Sequence, residues 1–198
     1  MKTATTLLWL ALAWLAASCG GSYTPKPRGF NRIDLPKQSY QLLDAPDLPY
    51  HFEYSDQAVL SPDTTGFTGD HWVDLRYPIF GASVQLTYYP LLRNQALFYE
   101  LLEDAYTLTN KHQIKASAID RVAVANSFGN QGLLFLLKGE VPSQVQFLVT
   151  DSTDHFLRGA LYFKMADKND SLAPVIQFIQ QDIVHMVQTT RWKQTTKK

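Results

Sequence analysis

Trp72-Val73-Asp74-Leu75-Arg76-Tyr77, followed after Pro78 to Gly81 by Ala82-Ser83-Val84-Gln85-Leu86-Thr87-Tyr88, is the stretch from which the fold class follows. Both runs alternate. In the first, Val73, Leu75 and Tyr77 share one face and Trp72, Asp74 and Arg76 the other; in the second, Val84, Leu86 and Tyr88 point inward. A period of two marks a strand half buried against a core. Two such runs across a short turn make a hairpin with one buried face.

Downstream of the hairpin the period changes. A helix is predicted from near Leu91, just past Pro90, to near Lys111. Leu97, Leu101, Leu102, Ala105 and Leu108 recur at helical spacing, with Glu100, Glu103 and Asp104 toward the other side. Lys111 and His112 fall in its last turn, where the helix dipole favours positive charge. Four strands are expected next, at Arg121–Ala125, Gly132–Lys138, Gln144–Thr150 and Phe156–Lys164, separated by turn residues and therefore an antiparallel meander. Leu133-Leu134-Phe135-Leu136-Leu137 is apolar on both faces, which predicts a central strand covered on each side. The last element is a second long helix. Asp170-Ser171 offers N-cap oxygens, Pro174 suits a first turn, and Leu172, Val175, Ile176, Ile179, Ile183, Val184 and Val187 form one stripe.

Upstream, His51 to Tyr54 and Ala58 to Leu60 read as one short strand with an interruption, and Asp63 to Gly66 as a turn. Two long helices and about six or seven strands give a single α+β domain over residues 50–198, an antiparallel sheet packed by helices on both sides. Its core is expected to include Leu86, Leu101, Phe135, Leu148, Leu161 and Ile179. The order of elements resembles the small α/β/α sandwich domains typified by the photosystem protein PsbP and the nuclear transport factor Mog. Fold likeness alone implies no activity.

The chain opens differently. Lys2 lies in a short basic n-region, Leu7 to Leu15 is a compact apolar run, and Ala16-Ala17-Ser18 supplies small side chains for a signal peptidase. A permanent span needs about 20 apolar residues, so residues 1–18 read as a cleaved signal. Cys19, the only cysteine, follows at once. That is the lipoprotein pattern, in which the thiol is acylated and lipid replaces the signal as anchor. Where the usual lipobox has Leu, three positions before the cysteine, this chain has Ala16. The alternatives are an ordinary signal followed by an incidental thiol, or an uncleaved anchor.

Residues 19–49 then form an extended arm. Pro25, Pro27, Pro36, Pro46 and Pro49 block helix formation. Yet Tyr23, Phe30, Ile33, Leu35, Tyr40, Leu42 and Leu43 are too apolar for a solvated linker. Either these groups pack back on the domain or some of them dock a partner. The densest candidate for docking is Tyr23, Pro25, Pro27, Arg28, Gly29, Phe30 and Arg32, because aromatic and arginine side chains are favoured interface anchors.

Composition removes several function classes. Eighteen basic and 18 acidic side chains cancel, and loss of the signal removes only Lys2, leaving a balance of −1. Nothing in that charge favours nucleic acid. With Cys19 acylated no thiol remains for disulfides, zinc or nucleophilic catalysis. Asp151-Ser152-Thr153-Asp154-His155 holds the residue types of a hydrolase, but no Gly-x-Ser-x-Gly elbow precedes the serine and the same residues suit a turn. Asp182 and His185 lie three apart on one helix face and Asp70-His71 are adjacent, the best metal-like pairs. Neither gathers further ligands in sequence, and no metal or cofactor is expected.

Cys19, then Tyr23-Thr24-Pro25-Lys26-Pro27-Arg28-Gly29-Phe30 and Arg32-Ile33-Asp34-Leu35-Pro36, resemble the N-terminus of the gliding motility lipoprotein GldD family. Phe156-Leu157-Arg158-Gly159-Ala160-Leu161-Tyr162-Phe163 and Asn169 to Val175 are similar to the same family. The resemblance implies a lipid-anchored cell-envelope component needed for gliding, tied to the type IX secretion machinery, whose partners are the membrane and other proteins of that machinery. It implies no enzymatic activity. Two other readings are a periplasmic ligand-binding lipoprotein and an envelope hydrolase.

Overall fold

The computed structural model describes residues 33–62, 71–111, 116–164 and 169–193, without the side chains of Pro62 and residues 169–171. A compact unit runs from Arg32 to Lys198, and residues 1–31 lie outside it and outside the described residues. The described elements are β1 (Tyr40–Leu43), β2 (Tyr50–Ser55), β3 (Val59–Pro62), β4 (Val73–Tyr77), β5 (Ala82–Pro90), α1 (Gln95–Asn110), β6 (Ala116–Ala125), β7 (Gln131–Gly139), β8 (Val145–Thr150), β9 (His155–Phe163), α2 (Asn169–Thr189) and β10 (Arg191–Trp192).

Seven strands form the main sheet, in the order β3-β4-β5-β9-β8-β7-β6, and every pairing is antiparallel. The hairpin of β4 and β5 is as predicted, with Leu75 opposite Val84. One face carries Val73, Leu75, Tyr77, Val84 and Leu86 with Phe147, Val149, Leu157 and Leu161 against Val175, Ile179, Ile183 and Val187 of α2. The other carries Phe135, Leu137, Leu148 and Phe156 against Ala105 and the half-buried Leu97, Leu101 and Leu102 of α1. A helix thus covers each face, as the apolar pattern of β7 requires. The expected core residues are buried, Leu101 only partly. Gly159, in the central strand β9, is one position where glycine is required. A Cβ there would penetrate the Phe147 ring.

Several expectations are corrected. Residues 51–60 are two strands in different sheets: Ala58 N–H donates to Ser55 O at 2.9 Å, turning the chain between β2 and β3. The segment 33–49 is not simply an arm. Tyr40 to Leu43 pairs with β2 in a second, three-stranded sheet of order β1-β2-β10, and Leu43 and Leu48 are buried. The apolar groups there are used in folding, apart from the exposed Leu35 and Leu42. Helix α1 starts at Gln95, because Leu92 and Arg93 take positive φ and Asn94 Oδ1 caps the Leu97 N–H at 3.1 Å. Leu108 is exposed, and Thr109 is buried in its place. Strand β6 begins at Ala116 rather than Arg121, through an irregularity between Ala116 and Ala118. Strand β7 lies next to the edge strand rather than at the centre. The caps expected at Asp170 and Ser171 fall inside α2, and their side chains lie outside the described ones.

Candidate functional site

Four non-glycine residues among those described have positive φ: His71 at 69°, Leu92 at 51°, Arg93 at 62° and Ser152 at 64°. Such conformations are costly for L-residues and persist where the surroundings enforce them. Three of the four line one cleft of about 840 Å³, and Ser152 follows the lining residue Asp151. The cleft sits at the end of the main sheet where β5, β9 and β10 meet.

Two turns build one wall. Asp151 Oδ1 accepts from the N–H groups of Thr153, Asp154 and His155 at 3.0, 2.9 and 2.9 Å. Burial tends to raise this carboxyl, but those three bonds outweigh it and hold the group below the usual carboxylate range. The Leu91–Asn94 turn is tied to it by Leu91 N–H donating to Asp154 O at 2.9 Å and Arg93 N–H to Thr153 O at 2.8 Å. The result projects Leu92 outward at 79% exposure. Arg93 accompanies it, with Nε 3.8 Å from Asp154 Oδ2.

The floor is aromatic. His155 stacks on Trp192 with ring centroids 4.8 Å apart and planes 16° from parallel. Its Nδ1 lies 2.7 Å from Tyr88 Oη, and His71 meets the Tyr88 ring edge-on at 5.8 Å. Burial pushes the His155 imidazole below its ordinary value, only partly countered by Asp151 and Asp154. Burial, then those same carboxylates, raises the Tyr88 phenol to about 12. A neutral imidazole therefore faces a protonated phenol. Trp192 is positioned from behind: its Nε1–H donates to Asn130 Oδ1 at 2.7 Å, and Asn126 and Asn130 donate to Thr190 O at the end of α2 at 2.8 and 2.9 Å. Lys193, beyond it, bonds Asp44 Oδ1 at 3.1 Å and Ala45 O.

The hydrolase arrangement does not form. Ser152 Oγ is buried and makes no hydrogen bond among the described residues, while the Asp151 carboxylate and His155 Nδ1 are engaged as above. The turn reading of residues 151–155 is the one the geometry bears out.

Asp182 and His185, the sequence-level metal pair, also go separate ways. Asp182 is buried on α2 and accepts from Gln38 Nε2 and Tyr77 Oη, each at 3.3 Å, and from Tyr40 and Ser55. Burial raises its carboxyl more than those four donors lower it. Its charge in turn adds to burial in lifting the Tyr40 phenol to about 12. His185 Nε2 lies 2.7 Å from Glu53 Oε2, and Tyr40 stacks on the imidazole at 3.7 Å. This cluster fastens residues 38–40 and the small sheet to α2. Among the described residues no three potential metal ligands come together.

Of the residues singled out in sequence, Cys19, Tyr23, Pro25, Pro27, Arg28, Gly29, Phe30 and Arg32 lie outside the described residues, as does Asp70. The cleft was missed. The alternation of β5 marks Tyr88 only as an inward strand residue, and nothing in the sequence singles out Trp192. No spacing links residues 71, 88, 93, 155 and 192, and a paired aromatic at a chain end is a weak signal.

No helix among the described residues is long and apolar enough to cross a membrane. Comparison with curated proteins finds no significant match. Among solved structures, the solution structure of cyanobacterial PsbP (CyanoP) from Synechocystis sp. PCC 6803 aligns over 88% of this chain and 97% of that one. The identity is 13% and the TM-score 0.41, a likeness too slight to bear on function. The family model of the gliding motility lipoprotein GldD, in contrast, matches residues 20–192. That span takes in the small sheet, the main sheet, both helices and the cleft, and the chain belongs to the gliding motility lipoprotein GldD family.

Proposed function

We propose that this chain is a non-enzymatic, lipid-anchored component of the cell envelope that acts within the gliding apparatus and its associated type IX secretion machinery. Family membership over residues 20–192 carries the reading. Among the side chains that sequence offered for catalysis or metal binding, Asp151, His155, Asp182 and His185 are each engaged in bonds that hold turns, strands or helices together, which supports the reading.

In this reading Cys19 carries the diacylglyceryl and palmitoyl chains that retain the protein at the membrane. Two or more chains suit stable retention, because a single acyl chain binds only marginally. Gly20-Gly21-Ser22 lacks the acidic run associated with export to the cell surface, which favours a periplasm-facing protein. The folded unit is a scaffold, and Tyr23, Pro25, Pro27, Arg28, Gly29, Phe30 and Arg32 dock other proteins of the machinery.

Crosslinking and pull-down of the intact lipidated protein tests this. Recovery of other gliding or secretion components is expected, and Cys19→Ala should lose them together with membrane retention. A wild-type protein recovered alone would contradict the proposal. The cleft favours a second reading alongside it, in which the lipoprotein also binds a ligand.

A further inference from the structure

We propose that the cleft between Trp192 and the Leu92–Arg93 turn is a binding site for a neutral oligosaccharide. Its volume of about 840 Å³ lies within the roughly 300–1,000 Å³ typical of small-molecule sites. The floor and the rim then narrow the chemistry.

The floor is the stacked pair of His155 and Trp192. The two rings cover each other's facing surfaces, and the half-buried pair offers its remaining ring area to the C–H face of a pyranose ring. The rim carries charges that are already matched. Arg93 lies beside Asp154, Lys193 bonds Asp44, and Asp151 Oδ1 accepts from three backbone N–H groups. A strongly anionic or cationic ligand finds no surplus of opposite charge here. Arg93 and Asp154 together present in-plane donors beside carboxylate acceptors. Sugar hydroxyls, each both donor and acceptor, satisfy both at once.

A proline-rich peptide is the other ligand that suits aromatic grooves. It lacks N–H donors at proline and offers carbonyl acceptors, so it needs ring N–H or phenol O–H groups pointing from the groove. Most of these are engaged within the protein: Trp192 Nε1–H is spent on Asn130, and Tyr88 Oη and His155 Nδ1 share one hydrogen bond, each at 2.7 Å, which leaves a single donor on the Tyr88–His155 pair. The cleft is also built before any ligand arrives. Tyr50 Oη donates to His71 O at 2.8 Å, the two turns are joined by backbone bonds, and the strained residues His71, Leu92 and Arg93 line it. A site ordered in advance loses less freedom on binding.

The test uses the mature lipidated protein in a detergent without a sugar headgroup. It is applied to an array of neutral, acidic and sulfated oligosaccharides, and titrated separately with deca-proline. Saturable binding to one or more neutral oligosaccharides is expected, with a change in tryptophan fluorescence. Arg93→Ala, at an exposed position, should weaken it about ten-fold while the melting temperature holds, the loss expected for a hydrogen bond to a charged group. Trp192→Phe should weaken it in the same direction, since a smaller ring offers less stacking area. Absence of binding to every neutral glycan, preference for sulfated glycans or deca-proline, or binding indifferent to Arg93→Ala would each overturn the proposal.

Discussion

The Asp182 cluster and the cleft both bring aspartate, tyrosine and histidine together, and they use them in opposite ways. Around Asp182, tyrosine, glutamine and serine side chains converge on one buried carboxylate, and none of its residues has a left-handed backbone. Around Trp192, turns are held in strained conformations and the most exposed side chains, Leu92 and Arg93, stand at the rim. Inward convergence with a relaxed backbone is what a fastening device needs. Outward projection with an enforced backbone is what the proposed binding site would need. Residue type alone does not separate the two arrangements; the direction of the side chains and the location of strain do.

The largest effect should come from breaking the fastening. Asp182→Ala leaves the Tyr77, Tyr40, Ser55 and Gln38 donors without their common acceptor, and should cost about 2–4 kcal/mol in denaturant unfolding. A loss below about 0.5 kcal/mol would mean that water replaces the carboxylate and that the cluster is not a clamp.

The pH dependence should separate the two regions by sign. Asp182 is raised above 3.8, so the folded state keeps a proton that the unfolded chain releases. Measured against Asp182→Asn, the wild type has its greatest advantage below 3.8 and loses it as pH rises through the folded value. His155 is lowered below 6.5, so here the unfolded chain holds the extra proton. Measured against His155→Gln, the wild type has its full advantage above 6.5 and loses it as pH falls toward the folded value. Melting temperatures across the acid range give both differences, and slopes of the same sign would erase the contrast.

How far the sequence anticipated these regions follows from their construction. The β4–β5 hairpin was legible because alternation is a local signal, and α2 because its apolar stripe runs unbroken from Val175 to Val187. The small sheet was not. Tyr40 to Leu43 lies among prolines, and β10 is two residues long, so neither carries a period to read. The start of α1 was misplaced because Leu91 and Leu92 extend its apolar pattern while the backbone turns left-handed. The Asp182–His185 spacing was visible, but Gln38, Tyr77 and Glu53 reach it from more than 100 positions away. The cleft draws on separate segments and has no motif at all.

A smaller effect should come from relieving strain at the cleft. Leu92 is 79% exposed and buries little, so Leu92→Gly should leave the fold intact and stabilise it by up to about 1 kcal/mol. Denaturant midpoints check this. A marked destabilisation would show that Leu92 supports the fold rather than projecting from it.

In the proposed division, residues from Ile33 onward serve folding and the motif upstream of it serves docking. Replacing Arg28 and Phe30 together with Ala and scoring gliding, membrane level and melting temperature in the same strain tests that division. Gliding should be abolished while the melting temperature and the amount of anchored protein stay at wild-type values. A double variant that melts lower and accumulates poorly would contradict the account, because those side chains would then belong to the fold.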